Sequence, residues 1–170
     1  MQNIYLIGFM GSGKSSIGIR LAQKWQRPFL DLDQQITQNT GQSISSLFAD
    51  YGEAYFRKLE ADTLHKTAAL NSTIIALGGG TPCFFDNMSW LNAHGKTIYL
   101  YTSPPILAQR LMPERATRPL IAHIDNLPAL TDFIEQKLAE RSPFYQQATH
   151  VLNTDKLIID DIINKLNSII

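Results

Sequence analysis

The chain has 170 residues, 44% of them apolar and 18% charged, which is enough for one domain with a sizeable core and too few for a second. Its fifteen basic residues cancel its fifteen acidic ones, so no global field exists to recruit nucleic acid or an anionic membrane, and any anionic ligand must be held locally. A single cysteine, Cys83, excludes an internal disulfide framework, and no apolar run reaches bilayer-spanning length.

In chain order, "NIYLI" at residues 3–7 reads as a buried strand, and Lys14 to Trp25 places Ile17, Leu21 and Ala22 at helical spacing. The opening "MQNIYLIG" lacks a basic region and a cleavage site, so no export is expected. "PFLDLD" at 28–33 predicts a second strand closed by two aspartates. Residues 36–70 read as helix interrupted at Gly41 and Gly52, with Ser43 or Ser45 as a cap. "STIIALGGG" predicts a buried strand ending in the turn Gly78-Gly79-Gly80.

A short helix over Asn87 to His94, a strand over "GKTIYLY" and a helix over "TSPPILAQRLM" with a hydroxyl cap and proline in its first turn continue the alternation. "PERATRPLIAHIDN" reads as a loop. A helix from Leu127 to Arg141, a strand over His150 to Leu152 and an amphipathic helix from Lys156 complete the chain. Apolar strands without alternation, separated by helices, predict an α/β fold with a mostly parallel sheet covered on both faces. Ligands of such sheets gather at the carboxyl ends of the strands, where the glycine turn after Ile7, Asp31, Asp33 and Gly78 to Gly80 all fall.

Gly8 to Ser15, "GFMGSGKS", satisfies G-x-x-x-x-G-K-[ST] between a strand and a helix. The glycines let backbone N–H groups converge on phosphate oxygens while the helix directs its positive end at the same anion. The expected roles are phosphate binding by Gly11, Ser12, Gly13, Lys14, Ser15 and Ser16, with Lys14 bridging the β- and γ-phosphates and Ser15 offering its hydroxyl to Mg²⁺. Asp31 and Asp33, one residue apart at a strand end, are expected to face opposite ways, one toward metal and one toward an acceptor hydroxyl. Arg57 and Glu60 share a helix face and by themselves read as a surface ion pair. The four histidines lack ligand spacing, and the pair Phe144 and Tyr145 reads as packing.

Taken together, "GFMGSGKSSIG", "FLDLD", "GEAYFRKLE", "LGGG", "RATRPLI" and "ERSPFYQQA" resemble the shikimate kinase family in order and separation, along nearly the whole chain. The resemblance implies an α/β/α sandwich of P-loop kinase type as one domain over 1–170, with a substrate-binding helical segment at about 34–60 and a lid at about 112–124. It implies ATP and shikimate as ligands, one Mg²⁺ ion and a place in aromatic amino-acid biosynthesis; the single cysteine fits a reducing cytoplasm, and with no exposed heptad or edge strand that demands a partner a monomer is expected. Asp33 is implied as the base near the 3-hydroxyl, Asp31 as a metal contact through water, Arg57 and Arg141 as carboxylate binders, and Glu60 as support for Arg57. Gly78, Gly79 and Gly80 are implied beside shikimate, Arg118 as the lid arginine over the phosphates, and Arg110 on the adenine side. The alternatives are another small-metabolite P-loop kinase, for gluconate or a nucleotide, and a nucleotide-binding regulator without transfer. Cys83 is assigned no catalytic role.

Overall fold

The computed structural model describes residues 1–118 and 120–169; Pro119, within the expected lid, and Ile170 lie outside the described residues. Five strands form one sheet: β1 (Asn3–Ile7), β2 (Phe29–Asp31), β3 (Ile74–Ala76), β4 (Gly95–Tyr101) and β5 (His150–Asn153). Their order is β2-β3-β1-β4-β5 and every pairing is parallel, with Tyr5 opposite Ile75 on one side and Thr97 on the other.

Alternation along β1 divides the core. Ile4 and Leu6 face one side, where α1 (Lys14–Trp25) and α7 (Ile159–Ile169) pack through Ile17, Leu21, Ile162 and Leu166. Tyr5 and Ile7 face the other, under α2 (Leu32–Thr40), α3 (Ile44–Lys66), α4 (Asn87–His94), α5 (Pro104–Leu111) and α6 (Leu127–Tyr145). Helices on both faces make the expected three layers, and burial on both faces explains why the strands read as continuous apolar runs. Among the described residues no helix is long and apolar enough to cross a membrane.

The chain leaves β1 toward β2, then crosses from β3 over β1 to β4, so the switch in direction lies between β1 and β3. The crevice at their carboxyl ends is flanked by the turns beginning at Gly8 and Gly78. This is where an open parallel sheet accepts a ligand.

Several expectations change. The second strand stops at Asp31, because the Asp31 side chain accepts from Asp33 N and Gln34 N and starts α2 there. Asp33 therefore sits in the first turn of a helix, and strand alternation does not decide where it faces. Ser103 precedes α5 without a capping bond from its side chain, while its N–H donates to Asp155 Oδ1. The segment Met112–Thr117 is a run of 3₁₀ helix where a loop is expected. Helix α6 continues to Tyr145 with Pro143 inside it, its last turn anchored by the fully buried Tyr145 ring. Helix α7 begins at Ile159, three residues after Lys156.

Candidate active site

Chain geometry makes the turn after β1 almost by itself. Gly8 follows β1 with φ of 151°, and a Cβ there would lie 2.8 Å from the Leu100 carbonyl of β4. Gly13, in the left-handed region at φ of 91°, turns the chain into α1 and contributes no capping side chain. The first intrahelical bond runs from Ile17 N to Gly13 O, so the N–H groups at the start of α1 have no acceptor within the helix and suit an anion.

Lys14 folds back over this loop, its ammonium donating to Gly8 O and Phe9 O, each at 2.9 Å. Burial pulls its pKa down from 10.5 to about 8, opposed by the nearby carboxylates of Asp33 and Asp31. The Ser15 hydroxyl donates to Asp31 Oδ2 at 2.6 Å, while Oδ1 of the same carboxylate caps α2. Ser15 and Asp31 are thus two hard oxygen donors held side by side. Among the described residues no group of three or more His, Cys, Asp or Glu side chains is arranged to hold a metal. That donor set fits Mg²⁺, which is typically held by one or two protein oxygens together with substrate phosphates.

The cavity over this loop measures about 400 Å³ and is lined by Lys14, Ser15, Ser16, Asp31, Arg110 and Arg118 among others. Ser12 is buried in the loop, and its hydroxyl has no hydrogen-bond partner. Arg110 leans on the loop, donating to Gly11 O at 3.2 Å. Arg118 donates through Nη2 to Glu114 Oε2 at 2.9 Å, and its buried Nε has no partner.

A second cavity of about 250 Å³ opens on the other side of Asp33, lined by Phe48, Arg57, Gly79, Gly80, Arg118 and Arg141 among others. The two cavities share Met10, Asp33, Gly78, Gly79 and Arg118. Burial, together with the charge on Asp31, raises the Asp33 carboxyl above its ordinary range, while Lys14, Arg57 and Arg118 pull it back. A carboxylate so placed can take a proton from a group entering the second cavity while facing phosphate in the first.

Arg57 and Glu60 do not form a surface pair. They are 7% and 1% exposed, and Arg57 Nη1 donates to Glu60 Oε2 at 3.1 Å. The other side of the guanidinium donates from Nε and Nη2 to Glu53 Oε1, at 3.2 and 3.0 Å. Rings of Phe48, Phe56 and Phe84 lie 5.6, 5.4 and 4.5 Å from its central carbon. Gly80 permits this packing, since a Cβ there would stand 2.7 Å from Arg57 Nη1. Arg141 lies over the Phe9 ring at 5.3 Å and beside Gly79, whose carbonyl accepts a hydrogen bond from the Tyr145 hydroxyl.

The residues expected to bind ligand therefore line one or other of these two adjoining cavities, except Ser12, which is buried in the glycine turn. Sequence reasoning did not find Glu53, Thr81 or Phe84, and it read Tyr145 as packing, which its full burial bears out. Glu53 carried a usable signal, since it stands four residues before Arg57 on a helix, where opposite charges pair. The other three become neighbours of the site only through tertiary packing.

A family model described as shikimate kinase matches residues 10–170. A shikimate kinase of Bacteroides thetaiotaomicron is 41% identical over 157 residues, covering 92% of this chain and 89% of its own. One from Parabacteroides distasonis is 38% identical with both chains fully covered. Among solved structures, a shikimate kinase from Bacteroides thetaiotaomicron superposes with a TM-score of 0.91 at 38% identity, covering 99% of this chain and 97% of its own. The Acinetobacter baumannii enzyme in complex with shikimate superposes with a TM-score of 0.90 at 31% identity, covering 99% and 92%.

Proposed function

The chain belongs to the shikimate kinase family, and from that premise we propose that it transfers the γ-phosphoryl group of ATP to the 3-hydroxyl of shikimate, releasing ADP and shikimate 3-phosphate. The observation that carries this reading is the contiguity of the two cavities across Asp33 and Arg118, one lined for phosphate and the other for a small anion. In the biosynthesis of aromatic amino acids this is one phosphorylation step.

The triphosphate lies against the start of α1, and the Lys14 ammonium leaves Gly8 O and Phe9 O for the β- and γ-phosphates. Their charge restores the proton affinity that burial took from it. Ser15 and Asp31, whose oxygens stand side by side at this loop, would hold Mg²⁺, which would supply positive charge against the phosphates. Arg118 brings its unpartnered Nε to the transferred group and exchanges Glu114 for phosphate.

Shikimate carries a carboxylate, and Arg57 with Arg141 supplies the charged fork that receives it. A guanidinium has five N–H donors; three of those on Arg57 are engaged by Glu53 and Glu60, and two remain for the substrate. With the carboxylate fixed at that end, the 3-hydroxyl points toward Asp33. Asp33 takes its proton, the alkoxide oxygen bonds to the γ-phosphorus, and the bond to the β-phosphate oxygen breaks. The raised pKa of Asp33 makes it a better base than an exposed aspartate.

Every group in this scheme comes from one chain, so a monomer suffices. The thiol of Cys83, half-buried and pushed up to about 11 by burial, stays protonated at neutral pH and takes no part in the transfer.

The test is ADP release with MgATP against shikimate, quinate, gluconate, a nucleoside monophosphate and no acceptor. Release is expected with shikimate above all others. Equal release without acceptor would refute the reading, and preference for gluconate or a nucleotide would reassign the second cavity.

A further inference from the structure

The carboxylate of Glu60 is divided between two donors. Its Oε2 accepts from Arg57 Nη1 at 3.1 Å, and its Oε1 accepts from the Thr81 hydroxyl at 2.6 Å. Thr81 is completely buried and lines neither cavity of the site, so its hydroxyl serves Glu60 and no ligand. The turn that carries it, Thr81–Cys83, is fastened in its own right, because Asn87 at the start of α4, also completely buried, donates from Nδ2 to Thr81 O at 2.8 Å.

The missing side chain of Gly78 makes room for this arrangement. A Cβ on Gly78 would stand 2.6 Å from Glu60 Oε1, 3.0 Å from Asp33 Oδ1 and 3.0 Å from Thr81 Oγ1, so both carboxylates and the hydroxyl crowd around one point. Without the hydroxyl, Glu60 would keep one oxygen buried with nothing to accept from, a costly state for a charged group. It would relieve that cost by rotating, and any rotation moves the anchor of Arg57 Nη1.

We infer that Thr81 is a positioning residue for substrate binding: its hydroxyl, carried on a turn whose backbone Asn87 fastens, holds the Glu60 carboxylate in the rotation that aims Arg57 into the acceptor cavity. The inference rests on the assignment of Arg57 to the substrate carboxylate. Thr81 touches no reacting atom, and its influence travels along the chain Thr81 to Glu60 to Arg57. Thr81→Val keeps the shape of the side chain and removes the donor, whereas Thr81→Ser keeps the donor.

The experiment measures ADP release while shikimate and ATP are varied separately, in wild type, Thr81→Val, Thr81→Ser, Thr81→Ala, Arg57→Ala and the double variant Arg57→Ala/Thr81→Val. Thr81→Val is expected to raise KM for shikimate roughly tenfold, the lower end of what losing a hydrogen bond to a charged group costs, with KM for ATP unchanged. Thr81→Ser is expected to match wild type. In the Arg57→Ala background Thr81→Val is expected to change KM for shikimate by less than about twofold, because residues acting as one unit are non-additive.

A Thr81→Val enzyme with wild-type KM for shikimate would overturn the inference. So would an equal rise in KM for ATP, a Thr81→Ser enzyme as impaired as Thr81→Val, or effects that multiply in the double variant. Should Thr81→Val fail to fold, Thr81→Ala against Thr81→Ser decides the same question by the same two constants. A wild-type enzyme with no shikimate-dependent release would instead refute the functional reading, and the two failures are read from different rows of the same data.

Discussion

The two halves of the site are built by different means. The core of the phosphate side is nine consecutive residues, Gly8 to Ser16, in which strand, turn and helix start do the work and the one charged side chain, Lys14, folds back on its own loop. The acceptor side draws Arg57 and Glu60 from α3, Gly78 to Gly80 from the turn after β3, and Arg141 from α6, and its key groups are buried charges that satisfy one another. A backbone cradle is local and tolerates change around it. A buried charge network is cooperative, and loss of one member leaves another unpaired.

The largest effect is expected on the phosphate side, with an opposite sign for stability. Lys14→Met should lower turnover about a thousandfold by removing a charge from the transferring group. Yet the variant should melt at higher temperature than wild type when no nucleotide is bound. The folded pKa of Lys14 is about 8 against 10.5 when unfolded, so the unfolded chain binds the proton more tightly. The cost is complete below pH 8 and fades as pH rises toward 10.5. At pH 7 it is on the order of 3 kcal/mol, part of which the two lost hydrogen bonds return, leaving a gain of about 1 to 2 kcal/mol. Thermal melts of both proteins at pH 7 and pH 9.5 would check it, and a gain that does not shrink at the higher pH would contradict it.

On the acceptor side the same kind of deletion should damage both properties. Arg57→Ala should raise KM for shikimate about a hundredfold, as expected for loss of a charged fork, while KM for ATP stays within about twofold. It also strands Glu60, whose side chain is 2% exposed, and the protein should lose roughly 3 to 5 kcal/mol, read by denaturant titration. A rise confined to KM for ATP would mean that the two halves are wrongly divided. The smallest effect is expected at Glu53, which holds the other side of Arg57 but whose side chain is 59% exposed. Glu53→Gln should cost less than about 1 kcal/mol, and a loss as large as that of Arg57→Ala would contradict the distinction between buried and exposed partners.

The same contrast explains what could be read from the residues alone. Helices Lys14–Trp25 and Asn87–His94 and the strand Gly95–Tyr101 stand where periodicity and turn residues put them, since those signals are local. The phosphate loop was legible for the same reason. Asp33 was misplaced onto a strand because "DLD" alternates, whereas Asp31 acts as a helix cap, a choice that two backbone N–H groups decide. The helix expected to end at Arg141 runs on to Tyr145 through Pro143, and the buried anchor at Tyr145 that carries it past the proline is tertiary. Arg57 and Glu60 looked like a surface pair, since i and i+3 spacing is the same in a buried pair as in an exposed one.

The central claim is that the two halves meet at Asp33, and rapid-quench measurement of a single turnover in Asp33→Asn tests it most directly. With MgATP and shikimate both saturating, the chemical step should slow by at least about a hundredfold, the range of a lost general base, while the dissociation constants of both substrates stay near wild type. A variant that transfers the phosphoryl group at the wild-type rate would contradict the claim and remove Asp33 from the reaction.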